Sequence, residues 1–410
     1  MKRLLIIWLL CSSFFAYAGI IHVGTASGVR TLKQAIQLAK DGDSIYLHKG
    51  LYKEGHLVLT KSISIIGIDQ PVLDGEGKYE ILTVSGHDIT IRGIHFSNAG
   101  YSSLYDYAAL KVIDAQHVIV ENNTVTNAYF AIHFDNSSYC VIRNNAIKSK
   151  YTTEQSSGNG IHLWKCDNMV VKSNHIQQHR DGIYFEFVTN SVIQNNVSEL
   201  NIRYGLHFMF SNNDVYINNT FRDNGAGVAV MYSKKVEMYK NRYEHNWGAS
   251  AYGILLKEIS DGYIIQNVFD ENSIAIHMEG TNRIEVSKNS FRNNGWALRV
   301  QASCNDNTFQ WNNFTGNTFD VATNGNSVLN HFHHNFWDKY EGYDLDKDGI
   351  GDVPYHPISM YSMVIEHNPI AVMLLRSFIV SLLDRAEKAI PSLTPETFLD
   401  DKPLMKPYRP

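Results

Sequence analysis

The sequence predicts an all-β chain wound as a right-handed parallel β-helix. Three observations predict it: a recurring asparagine signal, a small-residue landmark at constant distance from that signal, and apolar columns in register with both. The signal is an apolar β-rich run, then Asn or Asn-Asn, then an apolar residue two places on. Its copies read HVIVENNTV, YCVIRNNAI, NMVVKSNHI, NSVIQNNVS and NDVYINNTF, with divergent copies around Asn241, Asn267, Asn289, Asn313 and Asn335. From Asn123 the steps are 22, 29, 22, 23, 22, 26, 22, 24 and 22 residues. The second landmark, a small residue followed by Ile, Leu or Val, falls at Ala109, Ala131, Gly160, Gly182, Gly205, Gly227, Gly253 and Ala275, each 14 residues before an Asn. A fixed period in the twenties is a solenoid signature. About 22 residues per coil is too short for a helix pair and suits three short strands.

The columns justify the strands. Val120, Ile142, Val171, Ile193, Tyr216, Met238, Ile264 and Val286 stand three places before the Asn; Val125, Ile147, Ile176, Phe221, Tyr243, Phe269 and Phe291 stand two places after it, with Ser198 the exception. Val- and Ile-rich runs favour sheet, and coils stacked ~4.8 Å apart keep such columns apolar. Asn tolerates left-handed backbone at a corner, and stacked amides hydrogen-bond along a ladder.

The chain before the regular coils reads as a lid. Residues 1–18 have the form of an export signal: Lys2 and Arg3, an apolar stretch from Leu4 to Leu10, and a small-x-small site at Ala16-Tyr17-Ala18. The apolar stretch is too short to span a bilayer. Cys11 raises a lipoprotein reading, against which Leu9 and Leu10 are bulky. The expected location is therefore outside the cytoplasm, with the chain cut after Ala18. Thr31 and Gln34 form a capping box for a helix whose Leu32, Ala35, Ile36 and Ala39 share one face. That helix is expected to cover the open end of the solenoid, and residues 19–108 hold it and the first irregular coils. Cys140, Cys166 and Cys304 are odd in number and out of register, so no disulfide is indicated. A net charge of −5 and a pI near 6.4 offer nothing to nucleic acid.

Within the regular part, 109–337, all length variation falls between an Asn and the next small-residue landmark. The gap is usually 8 residues, but 15 from Asn145 to Gly160 and 12 from Asn241 to Gly253, and a similar extra stretch precedes Ala109. Insertions at one corner often mark a binding face. These carry Tyr101, Tyr105, Tyr107, Tyr151 and Trp247, aromatic types suited to partner contacts. The strand beside them points His133, His162, Tyr184, His207, Ala229, Leu255 and His277 outward, with Asp135, Trp164, Glu186, Met209, Met231, Lys257 and Glu279 two residues on. His207, Met209 and Met231 would lie together, and imidazole with thioether suits Cu(I); packing of these side chains on one another is the plainer reading. Glu186 and Glu279 stand four rungs apart, ~19 Å, too far for a two-carboxylate glycosidase. No compact set of Lys, Arg and carboxylates recurs on one outward face.

Past Trp337, the segment 338–362 carries Asp344, Asp346, Asp348 and Asp352 around Gly349, in the order D-x-D-x-D-G-x-x-D. Oxygens at alternate positions of a tight loop wrap Ca2+, or else the run is an acidic turn held by hydrogen bonds; Tyr355 stands where an EF-hand has its bidentate Glu. In 363–410, Pro369 to Ile390 reads as one helix, apolar nearly all round and interrupted by Arg376. It is too short to span a membrane and would cap the solenoid or dock on a membrane partner. The Pro-rich tail after Pro391 is expected to be extended and dispensable, the core closing upstream.

The run NFWDKYEGYDLDKDGIGDVPYHP, the helix end AEKAIPSL and the tail DDKPLMKP, following the opening TLKQAIQLAKDGDSIYLHKGLYKE, resemble the NosD family of β-helical accessory proteins for nitrous oxide reductase. The resemblance covers nearly the whole chain after residue 18. It implies a non-enzymatic periplasmic protein that works with an ABC-type ATPase and a membrane permease, meeting the membrane only through such partners. It further implies nitrous oxide reductase and a copper chaperone as partners and assembly of the reductase's copper-sulfide site as the task. No nucleotide-binding glycine loop is present in the sequence. The alternative on the same fold is a secreted polysaccharide-binding protein, lyase or epimerase, since fold does not fix function.

Overall fold

A computed structural model describes residues 18–410 except 103, 151–152, 326–328, 376, 390–397 and 410. The export segment, Tyr151 and Arg376 therefore lie outside the described residues. The chain winds through three parallel sheets of 14, 13 and 12 strands. One coil supplies Ile119–Glu121 to sheet I, Thr124–Thr126 to sheet II and Phe130–Asp135 to sheet III. The next coil pairs in register: Val120 opposite Ile142, Val125 opposite Ile147, Phe134 opposite Leu163.

Register explains the core. Inward positions of sheet II stack Phe221, Tyr243, Phe269, Phe291, Phe314 and Trp337, with ring centroids 4.1–5.6 Å apart. A vertical ring stack forms because successive rungs repeat the residue type at strand spacing.

The Asn ladder runs between sheets I and II. Asn219 donates from both its backbone N–H and its side-chain amide to Asn241 Oδ1 (2.9 and 3.0 Å), and Asn241 Nδ2 donates to the Tyr216 carbonyl at 2.9 Å. Each buried amide is thus fully used. Two details differ from expectation. After Asn289 the rung is Asn312, not Asn313, because the inward Phe314 must stand two places after the rung. The left-handed residue is the one preceding each rung, such as Asn122 (φ 55°), Asn218 (φ 52°) and Lys240 (φ 54°). A second ladder, Asn201, Asn224, Asn246, Asn272, Asn294 and Asn317, runs between sheets II and III.

Both ends are covered. Helix α1 (Leu32–Leu38) is capped by Thr31, which accepts from Gln34 N–H, and buries Leu32, Ala35 and Ile36. At the other end, the single helix expected from Pro369 to Ile390 is two pieces, a 3-10 turn (Pro369–Leu374) and α3 (Phe378–Ala389), and a helix that was not expected, α2 (Met360–His367), precedes them. Pro369 drives the residue before it out of helical backbone, so Asn368 ends α2 at ψ 88°. Helix α2 lies on the outer face of sheet III, where Tyr361 packs on Phe319 and Glu366 accepts from Arg299 at 2.7 Å.

The tail corrects a second expectation. Far from being dispensable, it forms the last rung. Asp400 Oδ2 accepts from Asn335 N–H, Asn335 Nδ2 and Trp337 Nε1, each at 3.0 Å. Phe398 is buried against Phe332, and Tyr408 exchanges two hydrogen bonds with Asn313. Without this segment the final Asn and Trp337 would face water with unpaired donors. The three described cysteines, Cys140, Cys166 and Cys304, are buried free thiols; burial pushes Cys140 up to about 11 and Cys166 up to about 12.

Candidate functional site

The outer face of sheet III collects the chemistry. Its middle column is His133, His162, Tyr184, His207, Ala229, Leu255 and His277, each opposite the next. The column points outward, as alternation requires, yet its histidines are covered: His133 is 4 % exposed, His207 7 % and His277 4 %. Two things cover it. Rungs stacked at strand spacing bring rings face to face or edge to face: His133 on His162 at 4.5 Å, His162 on Tyr184 at 4.8 Å, Tyr184 on His207 at 5.0 Å. Residues opening the sheet III strands lean over the column, Phe130 on His133 and Tyr204 on His207 within one strand, and Tyr252 on His277 of the next.

Cover changes the protonation. Burial, with Lys111 nearby, brings His133 down to about 3, and burial brings His277 down to about 4. Burial also holds His162 well below its ordinary value. These three imidazoles are neutral near pH 7, so each keeps one nitrogen lone pair. Two residues further along the strands, Met209 sits opposite Met231, both half-buried. The two thioethers are neighbours on adjacent rungs, and His207 precedes Met209 by two residues on the same face. His207 is less free than its sequence position suggests. Its Nδ1 lies 3.5 Å from Arg203 Nη2 and 3.8 Å from Asp181 Oδ2.

Beside the Met pair, at the corner toward sheet I, Phe187, Phe210 and Tyr232 form an exposed row with centroids 5.2 Å apart. All three have left-handed backbone, φ 50–55°. This costs a bulky residue roughly 1–2 kcal/mol. Sequence reasoning missed this row because the three aromatics follow the strand columns and carry no signal of their own.

The insertions leave the corner between sheets II and III. Tyr101 packs on Tyr129 at 4.9 Å and Tyr105 lies 6.4 Å from Tyr107, with Tyr101 and Tyr105 largely exposed. The second insertion contains a 3-10 turn, Glu154–Ser156. Trp247 is 64 % exposed but stands six rungs from the strand that holds Ala109, about 29 Å along the axis. It therefore does not join the tyrosines in one patch. Across the same corner, Arg180, Asp181 and Arg203 meet His207, a compact charged set the sequence spacing did not reveal. Arg180 and Arg203 stand at the corner, and Asp181 opens its strand ahead of the repeating columns.

At the far end, Asp344, Asp346 and Asp348 bring carboxylate oxygens within 4.8 Å of one another. Asp344 accepts from Lys347 and Gly349 N–H at 2.6 and 2.9 Å. Asp352 is turned to Leu345 N–H at 2.7 Å, so three of the four expected carboxylates converge. Tyr355 packs on Trp337 instead of facing the loop.

Fold and face together define a parallel β-solenoid with a histidine- and methionine-lined outer sheet. Residues 144–342 match the family model described as "NosD: Periplasmic copper-binding protein (NosD)". Two relatives, each called "Probable ABC transporter binding protein NosD", are similar across almost their whole length. That of Pseudomonas aeruginosa is 28 % identical over 94 % of this chain and 94 % of its own. That of Stutzerimonas stutzeri is 26 % identical over 94 % and 92 %. Along most of its length the chain is thus similar to proteins of the NosD family. Among solved structures, the catalytic unit of a GH87 α-1,3-glucanase from Streptomyces thermodiastaticus shares the fold at TM-score 0.61 and 13 % identity, covering 78 % of this chain and 69 % of that one. The pneumococcal adhesin PfbA matches at TM-score 0.50 and 13 % identity over 74 % and 84 %. Such identities show the fold alone. No described helix is long and apolar enough to cross a membrane.

Proposed function

We propose that this chain is a periplasmic copper-handling solenoid that works with an ABC-type ATPase and permease in building the copper-sulfide site of nitrous oxide reductase. One observation carries the copper reading: neutral imidazoles and a thioether pair share the outer face of sheet III. Soft, uncharged N and S donors select Cu(I). Met209 and Met231 are the pair within reach of solvent, and His207 flanks them. Copper here is cargo, held briefly and passed on. The name borne by the two relatives supports an ABC transporter as partner.

The apolar segment after Asn368 fits contact with the permease. Ile370, Met373 and Phe378 are each more than 70 % exposed, and isolated surface apolar residues rarely cluster this way without a partner. The tyrosines of the first insertion suit the reductase or the copper chaperone as a docking surface. The test is copper content of the reductase in cells carrying Met209→Leu with Met231→Leu, set beside Tyr101→Ala with Tyr105→Ala and Tyr151→Ala. Loss in the Met pair supports a copper path on sheet III. Loss in the Tyr set alone makes the face a docking surface, and wild-type copper content in both refutes the assignment.

A further inference from the structure

The corner between sheets II and III holds an unbalanced set of hydrogen-bonding groups. Asp181 is fully buried, and Arg203 grips it with two bonds, Nε to Oδ1 at 2.9 Å and Nη2 to Oδ2 at 2.5 Å. Arg180 Nη2 donates to Asn159 Oδ1 at 3.1 Å. The acceptors of the set are thereby engaged. Four buried nitrogens around them have no hydrogen-bond partner: Asn159 Nδ2, His162 Nδ1, Arg180 Nε and His207 Nε2. Arg180 Nε lies 3.8 Å from Asp181 Oδ2, beyond hydrogen-bonding distance. Asn159 Nδ2 and Arg180 Nε have no lone pair to offer and can only donate. Buried donors are almost always satisfied, and each exception asks for a partner. Two guanidinium groups flank one buried carboxylate, with Glu154 of the neighbouring turn also acting on Arg203. Access exists, since the side chains of Arg180 and Arg203 are 27 % and 32 % exposed.

We infer that Asn159, Arg180, Arg203 and His207 form a binding site for a carboxylate. An incoming carboxylate supplies acceptor oxygens for the obligate donors, and guanidinium suits it in geometry. Asn159 Nδ2 and Arg180 Nε, which can only donate, favour an anion over a cation. The site lies beside the Glu154–Ser156 turn of the second insertion. A longer coil there walls the cluster without disturbing the stacked strands. This goes beyond the copper reading: His207 is common to both, but neither Met209 nor Met231 takes part, and the donor variants Asn159→Ala and Arg180→Met leave the copper face unchanged.

The test uses the whole exported protein and thermal unfolding with acetate or galacturonate, chloride holding ionic strength constant. Wild type is expected to gain melting temperature with saturation. Asn159→Ala and Arg180→Met each remove one obligate donor, and should weaken binding roughly tenfold or more, as charge-assisted bonds do. Arg283→Met, at an exposed ion pair with Asp261, should bind as wild type does and controls for charge. Galacturonate binding more tightly than acetate assigns a sugar acid; equal affinity assigns the bare carboxylate. No saturable shift in wild type with either probe, or equal shifts in wild type and both donor variants, overturns the site and leaves water as the partner of these nitrogens. Circular dichroism separates a misfolded variant from one that merely fails to bind, and Asn159→Ala, which removes no charge, keeps the test alive if Arg180→Met misfolds.

Discussion

Replacing Asp400 with Ala should unfasten the end of the solenoid while leaving its middle intact. The wild-type carboxylate receives three hydrogen bonds from Asn335 N–H, Asn335 Nδ2 and Trp337 Nε1 through Oδ2, and one from Lys402 N–H through Oδ1. Asn335 and Trp337 are buried. Stranding a buried donor costs about 1–3 kcal/mol. The three losses share one small site, and water will reach part of it once the cap loosens, so simple addition overstates the effect. About 3–5 kcal/mol of local stability is the expected loss. Asp400→Asn keeps one acceptor oxygen and should cost about 1–2 kcal/mol.

Global melting is a blunt instrument here, because solenoids can unravel from an end and depart from two-state behaviour. Native-state hydrogen exchange reads each coil separately. In Asp400→Ala the amides of Asn312, Asn335 and Trp337 should exchange at least about 100-fold faster, the factor that ~3 kcal/mol implies. Amides near Asn196, several coils away, should keep their rates. Acceleration below about threefold at Asn335 would show that the tail does not hold the last coil. Uniform acceleration along the chain would show that the solenoid unfolds as one unit.

Three further outcomes follow from the same geometry. Asn241→Ala removes a rung that accepts two bonds from Asn219 and donates to Tyr216 and Asn267; it should cost about 2–4 kcal/mol, read by exchange in the coils on either side. Burial raises the carboxyl of Asp320 from 3.8 to about 6, against the pull of Lys339. The folded state therefore holds this proton more tightly than the unfolded chain. Its contribution is fully present below about pH 4 and is lost as pH rises to about 6, a change of about 3 kcal/mol. Asp320→Asn should flatten that part of a denaturation-against-pH profile, and an unchanged slope refutes the assignment. Calcium at Asp344, Asp346 and Asp348 should add RT ln(1 + [L]/Kd), about 2.7 kcal/mol at a hundredfold excess over Kd; an unchanged melting temperature after chelation leaves the loop an acidic turn.

The fold was legible because the solenoid repeats. A ladder amide at one rung requires an amide at the next, so Asn123 to Asn289 could be read without knowing any distance. The same logic failed at the ends, where repetition stops. Asp400 completes the Asn ladder from 65 residues beyond Asn335, and no local pattern links an aspartate in a Pro-rich tail to an asparagine so distant. The second ladder, from Asn201 to Asn317, escaped notice because its members follow turns of unlike residues: Leu200, Asp223 and His245 stand before the first three rungs. Helix α2 was not expected ahead of Pro369, and Pro369, which suits a helix start, opens a 3-10 turn and not a continuous helix; tertiary contact of Tyr361 with Phe319 holds α2 on sheet III.

The candidate site divides the same way. Strand alternation placed His207, Met209 and Met231 on one face, and the structure keeps them there. Alternation says nothing of cover, and cover decides which of them can meet a ligand. His207 is sealed between Tyr184 and Tyr204 and bound up with Arg203 and Asp181, whereas Met209 and Met231 retain access. If copper is handled on this sheet, the thioethers should make first contact, and a histidine should join only after the Arg203 guanidinium gives way. Arg203→Met would then free His207 from its neighbour, leave both methionines in place, and raise Cu(I) affinity measured by competition with a chromogenic chelator. An affinity unchanged by Arg203→Met but abolished by Met209→Leu with Met231→Leu would confine the metal to sulfur and remove His207 from the path.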